Sequence, residues 1–202
     1  MTVGRPSCGA TDPVADAVRR DPDASYAAAS AAQPVGEYER AVISAQLGRP
    51  ARGDPAVVHR CVFGLPTVVR VAPYLEDGTP FPTTFWLACP VARSRVGTLE
   101  ADHAMVGLNE RLEGDAEMAA EYAAADRRYR SFRAGLGERP PGDPGVGGMP
   151  SYVKCLHVHV AHHLATGDNV VGSWALDAIS PTPCPAPCVD PAGAGAGVGS
   201  HA

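Results

Sequence analysis

Residues 57–75 read VVHRCVFGLPTVVRVAPYL, and the two β-branched runs on either side of Gly64, Leu65 and Pro66 decide the fold. Valines at 57, 58, 68, 69 and 71 suit a pleated, half-buried surface, and the Gly-Leu-Pro step between them is turn chemistry. A third run of the same kind, TTFWLACP (83–90), follows the turn-rich EDGTPFP (76–82). Three strands joined by such short connections predict antiparallel pairing.

Helical patterns flank this unit. Before it, GEYERAVISAQLGRP (36–50) places Tyr38, Val42, Ala45 and Gln46 at helical spacing, with Gly48 and Pro50 set to end the helix. After it, a helix is expected from Ser94 to near Gly114. Another follows in which Met118, Tyr122, Ala125, Tyr129, Phe132 and Leu136 recur at steps of three or four. Asp115 and Glu117 begin that helix; Arg127, Arg128, Arg130 and Arg133 crowd its end, as a solvated helix terminus with a negative dipole end would want. SYVKCLHVHVAHHLATG (151–167) reads as a fourth helix, and SWALDAI (173–179) as a last strand or short packing segment. The fold class is therefore α+β: a small antiparallel sheet of three or four strands packed with three or four helices.

At 202 residues the chain is sized for one domain, placed at 36–180. Residues 1–35 carry few large apolar side chains and read as a disordered arm; residues 181–202, built of Pro, Gly and Ala, read as a disordered tail. Cys8, Cys184 and Cys188 then fall outside the domain. The net charge of −5 argues against nucleic acid as a partner, and the absence of a long apolar run argues against a membrane. A protein partner stays open. The early Asp12, Pro13 and Asp16 leave no secretory signal, so the expected location is cytoplasmic, where six Cys without a CxxC pair are ligands, nucleophiles or buried small residues rather than disulfides.

The segment 151–167 concentrates donor atoms: Cys155 and the histidines at 157, 159, 162 and 163. With a helix start near Ser151, Val153, Leu156, Val160 and Leu164 form an apolar stripe shared by His157, while Cys155, His159 and His162 project from the other side. Soft and borderline donors on one face suit Zn²⁺ or another transition metal, with Cys61 and Cys89 of the sheet to complete the set. Cys89-Pro90 is also a dipeptide found at iron–sulfur ligands.

The stretches RCVFGLPTVV (60–69), EDGTPFPTTFWLACP (76–90), LEA (99–101) and GMPSYVKCLHVHVAHHLATG (148–167) resemble the bacterial family called domain of unknown function 501, typical of high-GC Gram-positive bacteria. The resemblance picks out Cys61, Cys89, Cys155, His157 and His162. It implies three thiolates and one imidazole holding zinc or an iron–sulfur cluster, and brings no established activity. Its genes' neighbourhood implies a housekeeping, cell-division setting. Between the two histidines, helical projection prefers His162, a choice that helix fraying near Pro150 would reverse. Three functions follow as expectations: a metal or cluster protein, hydrolytic or redox, with Lys154 or a spare His moving protons; a metal-free interaction module; or a thiol enzyme using Cys155.

Overall fold

The computed structural model describes residues 21–179 and 184–190. Its elements run α1 (Pro22–Ala31), α2 (Glu37–Leu47), β1 (Ala56–Arg60), β2 (Pro66–Arg70), β3 (Phe85–Leu87), α3 (Pro90–Ala101), α4 (Ala104–Gly114), α5 (Ala116–Gly135), α6 (Leu156–Thr166) and α7 (Val170–Ala178). The architecture is α+β, with a three-stranded antiparallel sheet in the order β1-β2-β3.

In the central strand, Val68 pairs with Leu87 and Val69 with Trp86. Side chains alternate across a strand, so Val68, Phe85 and Leu87 enter the main core against α6. Val69, Val71 and Trp86 line the other face beside Ile43 and Leu47 of α2. The sheet is thus covered on both sides, which explains why β2 reads as an almost unbroken apolar run.

Gly48 ends α2 in the left-handed conformation, φ 70°, as its position in the sequence suggests. The helix expected from Ser94 to Gly114 is two helices: α3 ends at Asp102, and His103 adopts φ 60°, a conformation that breaks the helical path. Helical spacing of apolar residues survives such a break, so periodicity alone misses it. SWALDAI belongs to a helix, α7, started by Asn169, whose side chain accepts the Gly172 N–H.

The expected disordered arm differs in its described part. Asp21 caps α1 by accepting the Asp23 N–H, Pro22 occupies its first turn, and Tyr26 and Ala29 are buried. Composition undervalues this segment because one aromatic with a polar tip does the docking. The rest of the arm, with Cys8, lies outside the described residues, as do residues 180–183 and 191–202 of the expected tail region. Residues 184–190 form no helix or strand. No described helix is long and apolar enough to cross a membrane.

Helix α6 is the centre of the molecule. The expected stripe of Leu156, Val160 and Leu164 is buried, and so are His159 and His162 on the supposed outer side, together with His163. The reason is packing from all directions: α6 touches α1, α3, α7 and every strand of the sheet. The late arginines of α5, the exposed Arg127 apart, are likewise structural. Arg133 is fully buried and donates to Pro82 O, Pro144 O and the Asp143 carboxylate, while Arg128 grips Asp168 and Arg130 grips Asp126. A buried guanidinium with this many acceptors is held at an internal joint, unlike the solvated terminus expected from the sequence.

Candidate metal centre

Helix α6 begins at Leu156, five residues later than a start at Ser151, and this moves the ligand set. Cys155 sits in front of the helix with extended backbone, φ −148° and ψ 114°. Residues 151–154 are tied elsewhere: Lys154 N–H donates to Gly147 O, and Val153 N–H to the Asn109 side chain. Cys155 therefore leaves the face of His159 and His162 and turns toward His157.

A carboxylate joins them from α3. Glu100 Oε1 accepts the Leu156 N–H at 2.6 Å, capping the start of α6 from a neighbouring helix, and lies 3.2 Å from His157 Nδ1. Cys155 Sγ stands 4.0 Å from the same Nδ1. One donor atom from each of Glu100, Cys155 and His157 lies within 4.8 Å of the others, and these three form the group among the described residues that could hold a metal ion. All are half-buried.

The other imidazole nitrogen fixes the tautomer. His157 Nε2 is 3.1 Å from Arg93 O, a carbonyl that can only accept, so Nε2 carries the proton and the neutral ring presents a bare Nδ1 to the thiol and carboxylate. Metal-ligating histidines are oriented by such a bond from their far nitrogen. Without an ion, the contact with Cys155 and the charge of Glu100 favour protonated Nδ1, raising the His157 pKa to about 9 against the opposing effect of burial.

A cleft of about 270 Å³ adjoins Cys155 and His157. Its walls include Phe85, Trp86, Val158, Arg49 and Arg93.

The expected set of three cysteines and a histidine is corrected on three members. Cys61 lies in the β1–β2 turn, its N–H donating to Leu65 O, and is outside the group. Cys89 precedes α3, where its sulfur accepts the Ala92 N–H at 3.5 Å. Burial pushes its thiol pKa up, and the charges of Cys188 and Cys184 add to that rise.

His162 is fully buried and both its nitrogens are engaged. Asn169 Nδ2 donates to His162 Nδ1 at 3.0 Å and to His159 Nδ1 at 3.2 Å, because Asn169 Oδ1 is taken by the Gly172 N–H. His162 Nε2 then donates to Tyr26 Oη, and the Tyr26 hydroxyl to Asp168 Oδ2. His159 Nε2 faces Gly147 O and Tyr122 Oη. Burial holds both imidazoles neutral, lowering His159 to about 4 and His162 well below its ordinary value. Neither has a lone pair to offer a metal.

An iron–sulfur cluster loses its basis in this group, which contains one thiol where clusters need several. Glu100 is the residue that sequence reasoning passed over. Its signal was present in the LEA stretch at 99–101, one of the motifs that carry the resemblance.

The family model described as protein of unknown function (DUF501) matches residues 57–177. The chain belongs to this family. The match spans β1 through most of α7 and so contains Glu100, Cys155 and His157. Neither a curated protein nor a solved structure matches the chain. The family's description assigns no activity, so the chemistry of the site must come from its own residues.

Proposed function

We propose that this DUF501 protein is a metal-dependent enzyme whose mononuclear site is formed by Glu100, Cys155 and His157. The observation that carries the reading is the convergence of Oε1, Sγ and Nδ1 on one spot, with Nε2 tied back to Arg93 O. A thiolate, an imidazole and a carboxylate suit Zn²⁺, and three protein ligands beside a cleft follow the catalytic pattern, in which a position is left for water or substrate. Such an ion polarises a bound oxygen or makes hydroxide available near neutral pH, which points to hydrolysis. Glu100 and a Cys155 thiolate supply two negative charges, matching the dication.

Zn²⁺ and Co²⁺ titrations of the full chain test this. One ion per chain is expected, with a thiolate-to-cobalt charge-transfer absorption that disappears in Cys155→Ala; Glu100→Gln and His157→Gln should each weaken binding by about tenfold or more. Absence of stoichiometric binding in the wild type at millimolar metal sinks the proposal.

A second reading has its own support in the same group. The raised pKa of His157, with Cys155 as its first cause, suits an ion pair of thiolate and imidazolium, the form of a nucleophilic cysteine. It predicts a metal-free protein in which Cys155 alone among the cysteines is alkylated rapidly by iodoacetamide. A stoichiometric metal that protects Cys155 from alkylation decides for the first reading.

A further inference from the structure

The cleft beside Cys155 and His157 contains an unusual allocation of charge. Arg40, Arg52, Arg60, Arg128, Arg130, Arg133 and Arg139 each have a carboxylate within ion-pair distance. Arg49 and Arg93, the two arginines of the cleft, have no such pair among the described residues. Arg49 lies over the Trp86 ring at 5.2 Å, and the ring is stacked with Phe81. Arg93 makes only long bonds, 3.3 and 3.5 Å, from one terminal nitrogen to the carbonyls of Gln46 and Leu47, leaving its other donors uncommitted among the described residues. Arg70, Arg111 and Arg127 lack such a pair among the described residues as well, so what sets Arg49 and Arg93 apart is that both line one cleft.

Thr83 apart, the rest of the cleft is apolar, with the partly exposed Leu47, Trp86 and Val158 in its walls beside the buried Phe85 and Leu87. Its volume of about 270 Å³ is at the small end for ligand sites. With a dication neutralised by Glu100 and a Cys155 thiolate, the net local charge is set by the arginines, about +2. Without the ion, the arginines keep that sign. Guanidinium groups also match the forked geometry of an oxyanion.

We infer that the cleft binds a small oxyanion carrying a flat apolar body, with Arg49 and Arg93 on the charged end, Trp86, Leu47 and Val158 on the body, and the oxyanion end toward Cys155 and His157. This rests on the proposed site for its place in a reaction, whereas the binding itself needs only the arginines and the apolar wall. Phosphate monoesters and carboxylates share the required chemistry.

The test is calorimetric titration of the full chain, Zn²⁺-loaded and metal-free, with phenyl phosphate, benzoate and the neutral analogue benzyl alcohol. One of the two anions should bind at least about tenfold more tightly than benzyl alcohol, and the stronger of them names the oxyanion class. Arg49→Gln and Arg93→Gln should each weaken that anion by about tenfold or more while leaving Zn²⁺ stoichiometry and the thermal unfolding midpoint unchanged. Arg93→Lys should recover part of the loss, since charge returns without the fork. Anions that bind no better than benzyl alcohol, or Gln variants that bind them as the wild type does, overturn the inference. If Zn²⁺ fails to bind while anion affinity still depends on both arginines, the metal reading falls and the anion cleft stands.

Discussion

Tyr26 Oη and His162 Nε2 lie 2.5 Å apart across 136 residues of sequence, and this contact joins the first described helix to the central one. Asn169 occupies the far nitrogen of His162, so Nε2 is the donor and the tyrosine hydroxyl passes its own proton to Asp168. Tyr26→Phe keeps the ring packed against Phe132 and leaves the buried Nε2–H with no acceptor. The expected cost is about 1–3 kcal/mol, read from urea unfolding. A loss below about 0.3 kcal/mol would mean that α1 is held by apolar contact alone.

Gly172 gives a prediction whose sign opposes helix propensity. It lies inside α7, where alanine is ordinarily better by about 1 kcal/mol. A Cβ at this position would overlap the His159 carbonyl oxygen and come 2.7 Å from His163 Cβ. Gly172→Ala should therefore destabilise the protein by about 1–3 kcal/mol despite the propensity gain. An alanine variant as stable as the wild type would show that α6 and α7 separate at little cost.

Much of the sheet and of α5 was legible because their signals are local and periodic. Val68, Val69 and Val71 declare a strand, and Met118, Tyr122, Ala125 and Tyr129 declare a helix face. Cys155 illustrates the limit. Its segment has helical spacing throughout, yet Gly147 O and Asn109 capture the backbone N–H groups of 154 and 153, the first from the preceding glycine loop and the second from α4, distant in sequence. A helix start displaced by tertiary hydrogen bonds rotates every ligand assignment that depends on a wheel. His157 was legible by type and misplaced by angle, whereas Glu100 was hidden because its partners, a thiol and an imidazole, lie far along the chain at the start of another helix. Tyr26 was obscured by its alanine-rich surroundings.

The buried histidines make stability depend on pH in a defined direction. The folded protein keeps His159 neutral down to about pH 4 and holds His162 neutral well below its ordinary value, whereas the unfolded chain protonates both near 6.5. Below pH 6.5 the unfolded state therefore binds more protons, and stability falls as pH drops toward 4. His159 alone accounts for a loss on the order of 3 kcal/mol across that window. Unfolding free energies measured from about pH 6.5 to about pH 4.5 should decline steadily, and His159→Gln should flatten the curve. An identical slope in the variant would assign the acid sensitivity to other groups.

Metal binding should be visible as stability, because the three ligands come from α3 and from the start of α6. Glu100 lies on α3, whereas Cys155 and His157 bracket the first residue of α6, so an ion held by all of them ties two helices that already meet through the Glu100 cap on Leu156 and the His157 bond to Arg93 O. An ion that binds only the folded protein stabilises it by about 2.7 kcal/mol at a concentration one hundred times its dissociation constant. Zn²⁺ should thus raise the unfolding midpoint of the wild type, and a chelator should reverse the rise. Glu100→Gln separates the roles of this side chain: the amide oxygen still accepts the Leu156 N–H, while the charge needed to balance the dication is gone. The variant should remain close to wild-type stability without metal and respond far less to Zn²⁺. If Glu100→Gln responds to Zn²⁺ as the wild type does, Glu100 is a helix cap and the ion, where one binds, is held by other groups.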